Sequence, residues 1–379
     1  MNIKDRDYDF IRLAMSISRK NAGLTAENPS VGCVIVHNNE IIASAITALG
    51  GRPHAESIAI AKVDNKEILK ESTIYISLEP CCHFGKTPPC VLEIIKYRFA
   101  KVVIGAIDRD QRVNGKSIQL LRENNITVKY LELDQYFEAI NPSFAIRSQQ
   151  AMPKIIGKIA TSIDGKIATH NFASKWLSNE HSRQFVHYLR SQVDAVMIGA
   201  NTLRFDNPQL NCRLAGFEGK KLRKIIVANH NNFNKNLTLL QNPKDLVILT
   251  QNPLEWQDLE KAKAQIIDCS KILIAEKEAF TDKTYLSIDF GRILEIFRQL
   301  DLYYILAEGG SSLITSLVKQ NIFSELYWFS VNKIIGNDGI SAIGNLGYDS
   351  IKNMENLQLE LSRSFGDDIM HKYTAISLG

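Results

Sequence analysis

Apolar residues in the segment DYDFIRLAMSISRKNAG, residues 7–23, recur at spacings of three and four and stop at a glycine. That pattern predicts an amphipathic helix with a C-cap glycine. VGCVIVHNNEIIASAITA, residues 31–48, holds two β-rich runs on either side of His37-Asn38-Asn39-Glu40 and reads as a hairpin. After it come a helix in HAESIAIAKV, a strand in STIYISLEP, a helix in CVLEIIKYR behind two prolines, a strand in AKVVIGAID, a helix in KSIQLLRENN and a strand in ITVKYLE. Strands alternating with helices predict an α/β layer around a mainly parallel sheet.

The periodicity lapses in NPSFAIRSQQAMP, residues 141–153, which marks a domain boundary. A second α/β series follows, with strands expected in PKIIGKIATSIDGKIA, DAVMIGANTL, LRKIIVAN, DLVILT, AQIID and SELYWFSVNKII. LYYILAEGGSSLITSLVKQN reads as strand, glycine turn and helix, and LQLELSRSFGDDIMHKYTAISL as two strands around Gly366-Asp367-Asp368. The expected organisation is therefore two α/β domains, residues 1–147 and 148–379. A length of 379 residues suits two domains, each able to bury its own core.

Composition narrows the function classes. A net charge of +4, with no long basic run, argues against nucleic acid and against an anionic membrane surface as partners. The N-terminal MNIKDRDYDFIRL lacks the apolar core of a secretory signal, and no run of about 18 apolar residues predicts a membrane span. Six cysteines are too few for a disulfide scaffold, so reduced thiols in a cytoplasmic protein are expected, some of them metal ligands.

Three of the six cysteines lie in EPCCHFGKTPPC, residues 79–90. Cys90 opens a helix, where the N-terminal dipole favours thiolate, and Cys81 stands at the other end of the loop. In GRPHAES, His54 begins a helix with Glu56 two residues on. His-x-Glu followed by Pro-Cys and a second cysteine is the signature of zinc deaminases acting on nucleobases. Their zinc lowers the pKa of water, and the glutamate carries the proton to the leaving amine without ligating the metal. The eight-residue gap between cysteines departs from the usual two. A structural zinc with His83 or Cys82 as fourth ligand, and a loop without metal, therefore remain open. No Cys-x-x-Cys supports a redox pair. Lys86 and Thr87 in the insert suit a phosphate, or else are solvated loop residues.

NPSVGCVIV, HAES, LEPCCHFGKTPPC and GAIDRDQRVNGKSIQLL together resemble the deaminase half of the bifunctional deaminase/reductases of riboflavin biosynthesis. KIATSIDGKIA, SKWLS, LRSQVDAVMIGANTLRFDNPQL and AEGG resemble the reductase half, in the same order. The resemblance implies a cytidine-deaminase-like α/β/α domain followed by a dihydrofolate-reductase-like α/β domain. His54, Cys81 and Cys90 would then hold one zinc, and Glu56 would shuttle protons. Asn28, His83, Lys86, Thr87 and Asp108 would contact a pyrimidine ribose-phosphate. In the second half Ala160, Trp176, Thr202, Asp206, Gly309 and Gly310 would meet NADPH. Lys158, Ser174, Arg190, Leu210, Arg213 and Glu308 would meet the reductase substrate, with Asp164 near the pocket. The paired arginines Arg190 and Arg213 suit one phosphate, and Glu308 and Asp206 are the carboxylates that could supply a proton. The family also suggests a homo-oligomer, dimer or tetramer.

Two departures touch the cofactor region. THNFASKWLS lacks the glycine expected just before Ser-Lys-Trp, and Asn332-Lys333 stands where a proline is common. They leave open a deaminase whose second half binds without reducing. A deaminase acting on nucleic acid is a further alternative, disfavoured by the mild charge.

Overall fold

The computed structural model describes residues 6–375 apart from 176, 231, 235, 278–283 and 355. The chain forms two compact units that meet in sequence between Ala151 and Met152. In the first, helix α1 (Arg6–Ser18) precedes the hairpin β1 (Gly32–His37) and β2 (Glu40–Ile46). Helix α2 (Ala55–Ala61), β3 (Thr73–Leu78), α3 (Cys90–Tyr97), β4 (Lys101–Ala106), α4 (Lys116–Glu123) and β5 (Thr127–Tyr130) follow. The sheet order is β2-β1-β3-β4-β5. It is mixed rather than mainly parallel: β1 runs antiparallel to both neighbours, and only β3, β4 and β5 are parallel. The hairpin imposes the antiparallel β1–β2 pair, because a two-residue turn can join only antiparallel strands.

Helix α1 lies against this sheet at close range. A Cβ on Gly32 of β1 would come within 1.9 Å of the Ala14 carbonyl oxygen, so the contact requires glycine. The other face packs Ile35, Ile74, Ile76 and Ile104 against α2 and α3 in one apolar core. Each such side chain removed from water contributes about 1.5–3 kcal/mol. Helices α5 (Asp134–Ile140) and α6 (Pro142–Ser148) close the unit. The stretch read as aperiodic is thus helical over Pro142–Ser148, with its proline in the first turn, where the missing N–H costs nothing.

The second unit begins with β6 (Lys154–Ser162), β7 (Lys166–Ala168), α7 (Glu180–Gln192), β8 (Ala195–Gly199) and α8 (Ala200–Asp206). Next come β9 (Arg223–Val227), β10 (Leu246–Thr250), α9 (Gln257–Lys261), β11 (Gln265–Asp268) and a hairpin of β12 (Leu273–Lys277) and β13 (Thr284–Ile288). The remainder is α10 (Phe290–Gln299), β14 (Tyr304–Glu308), α11 (Ser311–Lys319), β15 (Phe323–Val331), β16 (Ile340–Ser341), β17 (Leu357–Phe365) and β18 (Asp368–Ala375). The main sheet has the order β11-β10-β9-β8-β14-β6-β15-β18-β17. It is parallel from β11 to β15 and antiparallel beyond. Strands β10 and β14 are buried at every position, as central parallel strands covered on both faces must be.

Two candidate active sites

In the first unit the strand-to-helix loops bring three donors together. His54 is the N-cap residue of α2, Cys81 follows β3, and Cys90 is the first residue of α3. His54 Nδ1 lies 3.7 Å from Cys81 Sγ and 3.4 Å from Cys90 Sγ. All three ligand atoms lie within 4.8 Å of one another. A tetrahedral zinc with bonds of 2.0–2.3 Å sets its ligands roughly 3.5 Å apart, so the donor set fits that ion. The hydrogen bond from Cys90 draws Cys81 down to about 4, against burial and with help from His54. The same bond, together with burial, pushes Cys90 well up. The Cys90 backbone N–H, at the α3 N-terminus, also donates to Cys81 Sγ at 3.3 Å.

Glu56 is 3 % exposed, and its Oε2 has no hydrogen-bond partner among the described residues. Burial, then the Cys81 charge, pushes it up to about 7. Cys82 points elsewhere, its thiol on the Arg112 carbonyl at 3.3 Å. Neither Cys82 nor His83 joins the three-donor cluster, which disfavours a closed four-ligand site.

The expected substrate contacts are distributed as follows. Asn28 donates to the Gly51 carbonyl (3.0 Å), on the loop leading to His54. Thr87 Oγ1 accepts from Arg52 Nη1 (2.8 Å), so its hydroxyl proton is free for another partner. Lys86 is exposed, and His83 holds a buried Nδ1 with no hydrogen-bond partner among the described residues. Asp108 is buried and raised to about 6 by that burial.

In the second unit a cleft of about 1290 Å³ opens where β8, β9, β10 and β14 end, beside β6. Carboxyl ends of parallel strands are where open α/β sheets bind ligands. The cleft wall includes Lys158 and Ala160 of β6, Ser174, Thr202, Asp206, Arg190, Arg213, Glu308 and the Gly309–Gly310 turn. Gly310 has φ 83°, and a Cβ there would sit 2.9 Å from Thr202 Oγ1, so only glycine fits before α11. Leu210 departs from expectation: it is 2 % exposed and does not line the cleft. Asp164 also lies off the wall, accepting from the Ile335 and Gly336 N–H groups. Trp176 lies outside the described residues.

The charges in the cleft differ from the sequence reading in one respect. Arg190 and Glu308 form a bidentate pair, Nε to Oε1 at 2.6 Å and Nη2 to Oε2 at 2.7 Å. Nη1 donates to the Asn211 carbonyl at 2.8 Å. All three guanidinium nitrogens are engaged, so Arg190 is not a second free cation beside Arg213. Burial would raise Glu308, but the adjacent Arg190 outweighs it and holds the carboxylate below its usual range. An ionised, doubly bonded Glu308 is a poor proton donor. Lys158 is half-buried beside this pair, and desolvation lowers it despite the pull of Glu308 and Asp206. Ser174 donates to Asp206 Oδ1 at 2.8 Å.

Three cleft residues were missed in the sequence. Phe172 and Phe205 stack with ring centroids 4.0 Å apart and planes within 5°. Phe172 has φ 63°, the left-handed backbone that favours glycine, one residue before Ala173, the position where the glycine is expected. His187 is three residues before Arg190 on α7, and that spacing puts both on one helix face, a signal available in the sequence. The second departure, Lys333, donates Nζ to the Leu177 carbonyl at 3.2 Å.

A protein with a thiol–imidazole cluster beside a buried glutamate on one unit, and a glycine-turn cleft on the other, has the layout of a two-domain metallo-deaminase and reductase. Residues 4–106 match the family model of the cytidine and deoxycytidylate deaminase zinc-binding region, and residues 153–371 match the RibD C-terminal domain. Riboflavin biosynthesis protein RibD of Actinobacillus pleuropneumoniae is 32% identical over 374 residues, 98% of this chain and 96% of that protein. Its counterpart in Aquifex aeolicus is 30% identical over 368 residues, 97% and 98% of the two chains. The fold matches Acinetobacter baumannii RibD with a TM-score of 0.84 at 23% identity, over 98% of this chain and 99% of that one. It also matches the Thermotoga maritima diaminohydroxyphosphoribosylaminopyrimidine deaminase/5-amino-6-(5-phosphoribosylamino)uracil reductase (0.81, 25%, with 98% and 99% covered). The chain belongs to the RibD family of riboflavin biosynthesis proteins, whose members join a cytidine-deaminase-like domain to a reductase domain. It is a bifunctional deaminase and reductase of the riboflavin pathway, and its two domains imply zinc and a nicotinamide cofactor. No helix among the described residues is long and apolar enough to cross a membrane.

Proposed function

We propose that the N-terminal unit hydrolyses an amine from 2,5-diamino-6-ribosylamino-4(3H)-pyrimidinone 5′-phosphate. The C-terminal unit then reduces 5-amino-6-(5-phosphoribosylamino)uracil to the ribitylamino product with NADPH. The observation that carries the first step is the His54–Cys81–Cys90 donor set with the unpartnered carboxylate oxygen of Glu56 beside it. In this reading His54, Cys81 and Cys90 hold the zinc, which supplies a nucleophilic hydroxide near neutral pH when bound. Glu56 takes a proton from water and returns it to the leaving amine, a role that needs a carboxylate beside the metal and off it. Lys86 and the free hydroxyl proton of Thr87 meet the substrate phosphate, His83 and Asn28 meet the ribose-pyrimidine, and Asp108 borders the pocket.

In the second unit a bound nicotinamide would supply hydride to the opened ribose C1, and the protein's part is to orient the two carbons. Ala160, Thr202, Asp206 and the Gly309–Gly310 turn, with Trp176, take the NADPH, its phosphates at the α11 N-terminus. Ser174, Arg213 and the Arg190–Glu308 pair take the substrate. The lowered Lys158 amine is better placed than ionised Glu308 to give up a proton. The reading extends to a cytoplasmic homo-oligomer, for which sedimentation is the test.

Steady-state NADPH oxidation tests the two-step scheme. Wild type supplied with the diamino compound alone oxidises NADPH, whereas Glu56→Ala does so only when given the deaminated compound. Ammonia release without oxidation refutes the reduction step. Neither signal in zinc-loaded protein refutes the substrate.

A further inference from the structure

We propose that His187 is the positioning residue that presents Arg213 to the phosphate of the reductase substrate. The inference rests on reading the cleft as a ribose-phosphate site. Helix α7 carries His187 and Arg190 one turn apart, against the segment Leu210–Arg213. That segment is seated at three points. Leu210 is buried, Arg190 Nη1 donates to the Asn211 carbonyl, and Cys212 Sγ donates to the His187 carbonyl at 3.3 Å.

Arg213 then lies across the imidazole. Its Nε is 3.2 Å from His187 Nε2, and its backbone N is 3.2 Å from Nδ1. Burial, with the charges of Arg190 and Arg213, holds His187 below its usual range, so the ring is neutral at pH 7. A neutral imidazole has one N–H and one lone pair. With the proton on Nδ1 the ring offers its Nε2 lone pair to the Arg213 Nε–H, and with the proton on Nε2 it would instead accept from the Arg213 backbone N–H at Nδ1, so the side-chain contact belongs to the Nδ1-protonated tautomer. A guanidinium held at Nε keeps both terminal NH₂ groups as a fork, the geometry that reads two oxygens of one phosphate. Arg213 lines the cleft and has no carboxylate partner among the described residues, whereas Arg190 is fully committed to Glu308 and Asn211. The division of labour is one arginine neutralised for structure and one kept available by a histidine.

The test is a double-mutant cycle in the full chain: His187→Ala, Arg213→Ala and both together, with His187→Gln as the conservative variant. Reductase kinetics are read with the deaminated ribose-phosphate and with its dephosphorylated counterpart. His187→Ala is expected to raise KM for the phosphorylated compound about tenfold, the scale of one charge-assisted hydrogen bond, with kcat within about twofold. The same change leaves kcat/KM for the dephosphorylated compound unaltered. His187→Gln, whose amide oxygen can accept from Nε, keeps KM near wild type. On the Arg213→Ala background His187→Ala adds nothing further. Multiplying effects, or an equal loss with both compounds, overturns the inference. Arg213→Ala raising KM while His187→Ala does not sinks the inference alone. An Arg213→Ala variant with unchanged KM sinks the reading of the cleft beneath it. An unchanged KM for NADPH and an unchanged melting temperature in each variant verify that the unit is folded.

Discussion

Replacing Glu308 by glutamine should destabilise the C-terminal unit far more than the loss of one surface ion pair would. Both partners of the Arg190–Glu308 pair are 11 % exposed at the side chain, and Lys158 is half-buried beside them. Glutamine keeps the shape and one acceptor but leaves two cations without their counter-charge. Breaking a buried pair by removing one partner costs about 3–5 kcal/mol, and the retained acceptor puts Glu308→Gln near the lower end, about 3 kcal/mol. For a unit of this size each kcal/mol moves Tm by about 2–4 °C, so its transition should fall by about 6–12 °C. Calorimetry on the intact chain reads this directly, with the N-terminal transition as internal control. Arg190→Met alone should cost a similar amount, and Arg190→Met with Glu308→Gln less than the sum. The penalty should also depend on pH. Glu308 is held below its usual range in the fold, so its stabilisation is complete above the unfolded carboxyl value of about 4.3 and disappears as pH falls through the folded value. The gap between wild type and Glu308→Gln should therefore close in acid. A shift below about 2 °C at pH 7, additive single mutants, or a gap that widens in acid would refute the reasoning.

Other perturbations separate the units. Cys90→Ser should drop bound zinc, measured by atomic emission, from about one per chain toward none and abolish ammonia release, while NADPH oxidation with the deaminated compound persists. Gly310→Ala forces a side chain into φ 83° and against Thr202 Oγ1, and should weaken NADPH binding about tenfold by fluorescence titration, with little change in zinc content. In the first unit Asp7 accepts from Lys101 (2.6 Å), Lys129 (2.8 Å) and Tyr75 (2.9 Å). Burial raises Asp7, but the two lysines outweigh it, so its contribution is present above about pH 3.9 and lost below. Wild type should lose more stability than Asp7→Asn between pH 5 and pH 3, as followed by urea unfolding.

The His54–Cys81–Cys90 donor cluster was legible because its residues sit at element ends that local pattern predicts: a helix start at His54, a strand end before Cys81 and a proline-flanked helix start at Cys90. The glycine turn after β14 was legible for the same reason. What stayed hidden depends on pairing between distant segments. Nothing in the sequence around residue 190 says that Glu308, 118 positions away, consumes the guanidinium. Nor does local pattern distinguish Leu210, whose side chain turns into the core, from neighbours on the cleft wall. The helical segment Pro142–Ser148 was read as an aperiodic domain boundary because seven residues span too few turns to display a period.

The stacked phenylalanines also make the tolerance of one cleft position depend on the residue at the other. Phe205 is 44 % exposed on α8, so an aromatic there is tolerable whatever residue 172 is. A phenylalanine at residue 172 holds a left-handed backbone, a cost of about 1–2 kcal/mol, which a parallel ring opposite offsets by about 0.5–1.5 kcal/mol. The ring at 205 therefore offsets part of the strain at 172, and truncating it costs more while residue 172 is a phenylalanine than after that residue is made glycine. A mutational scan of either site alone would misjudge what the other allows.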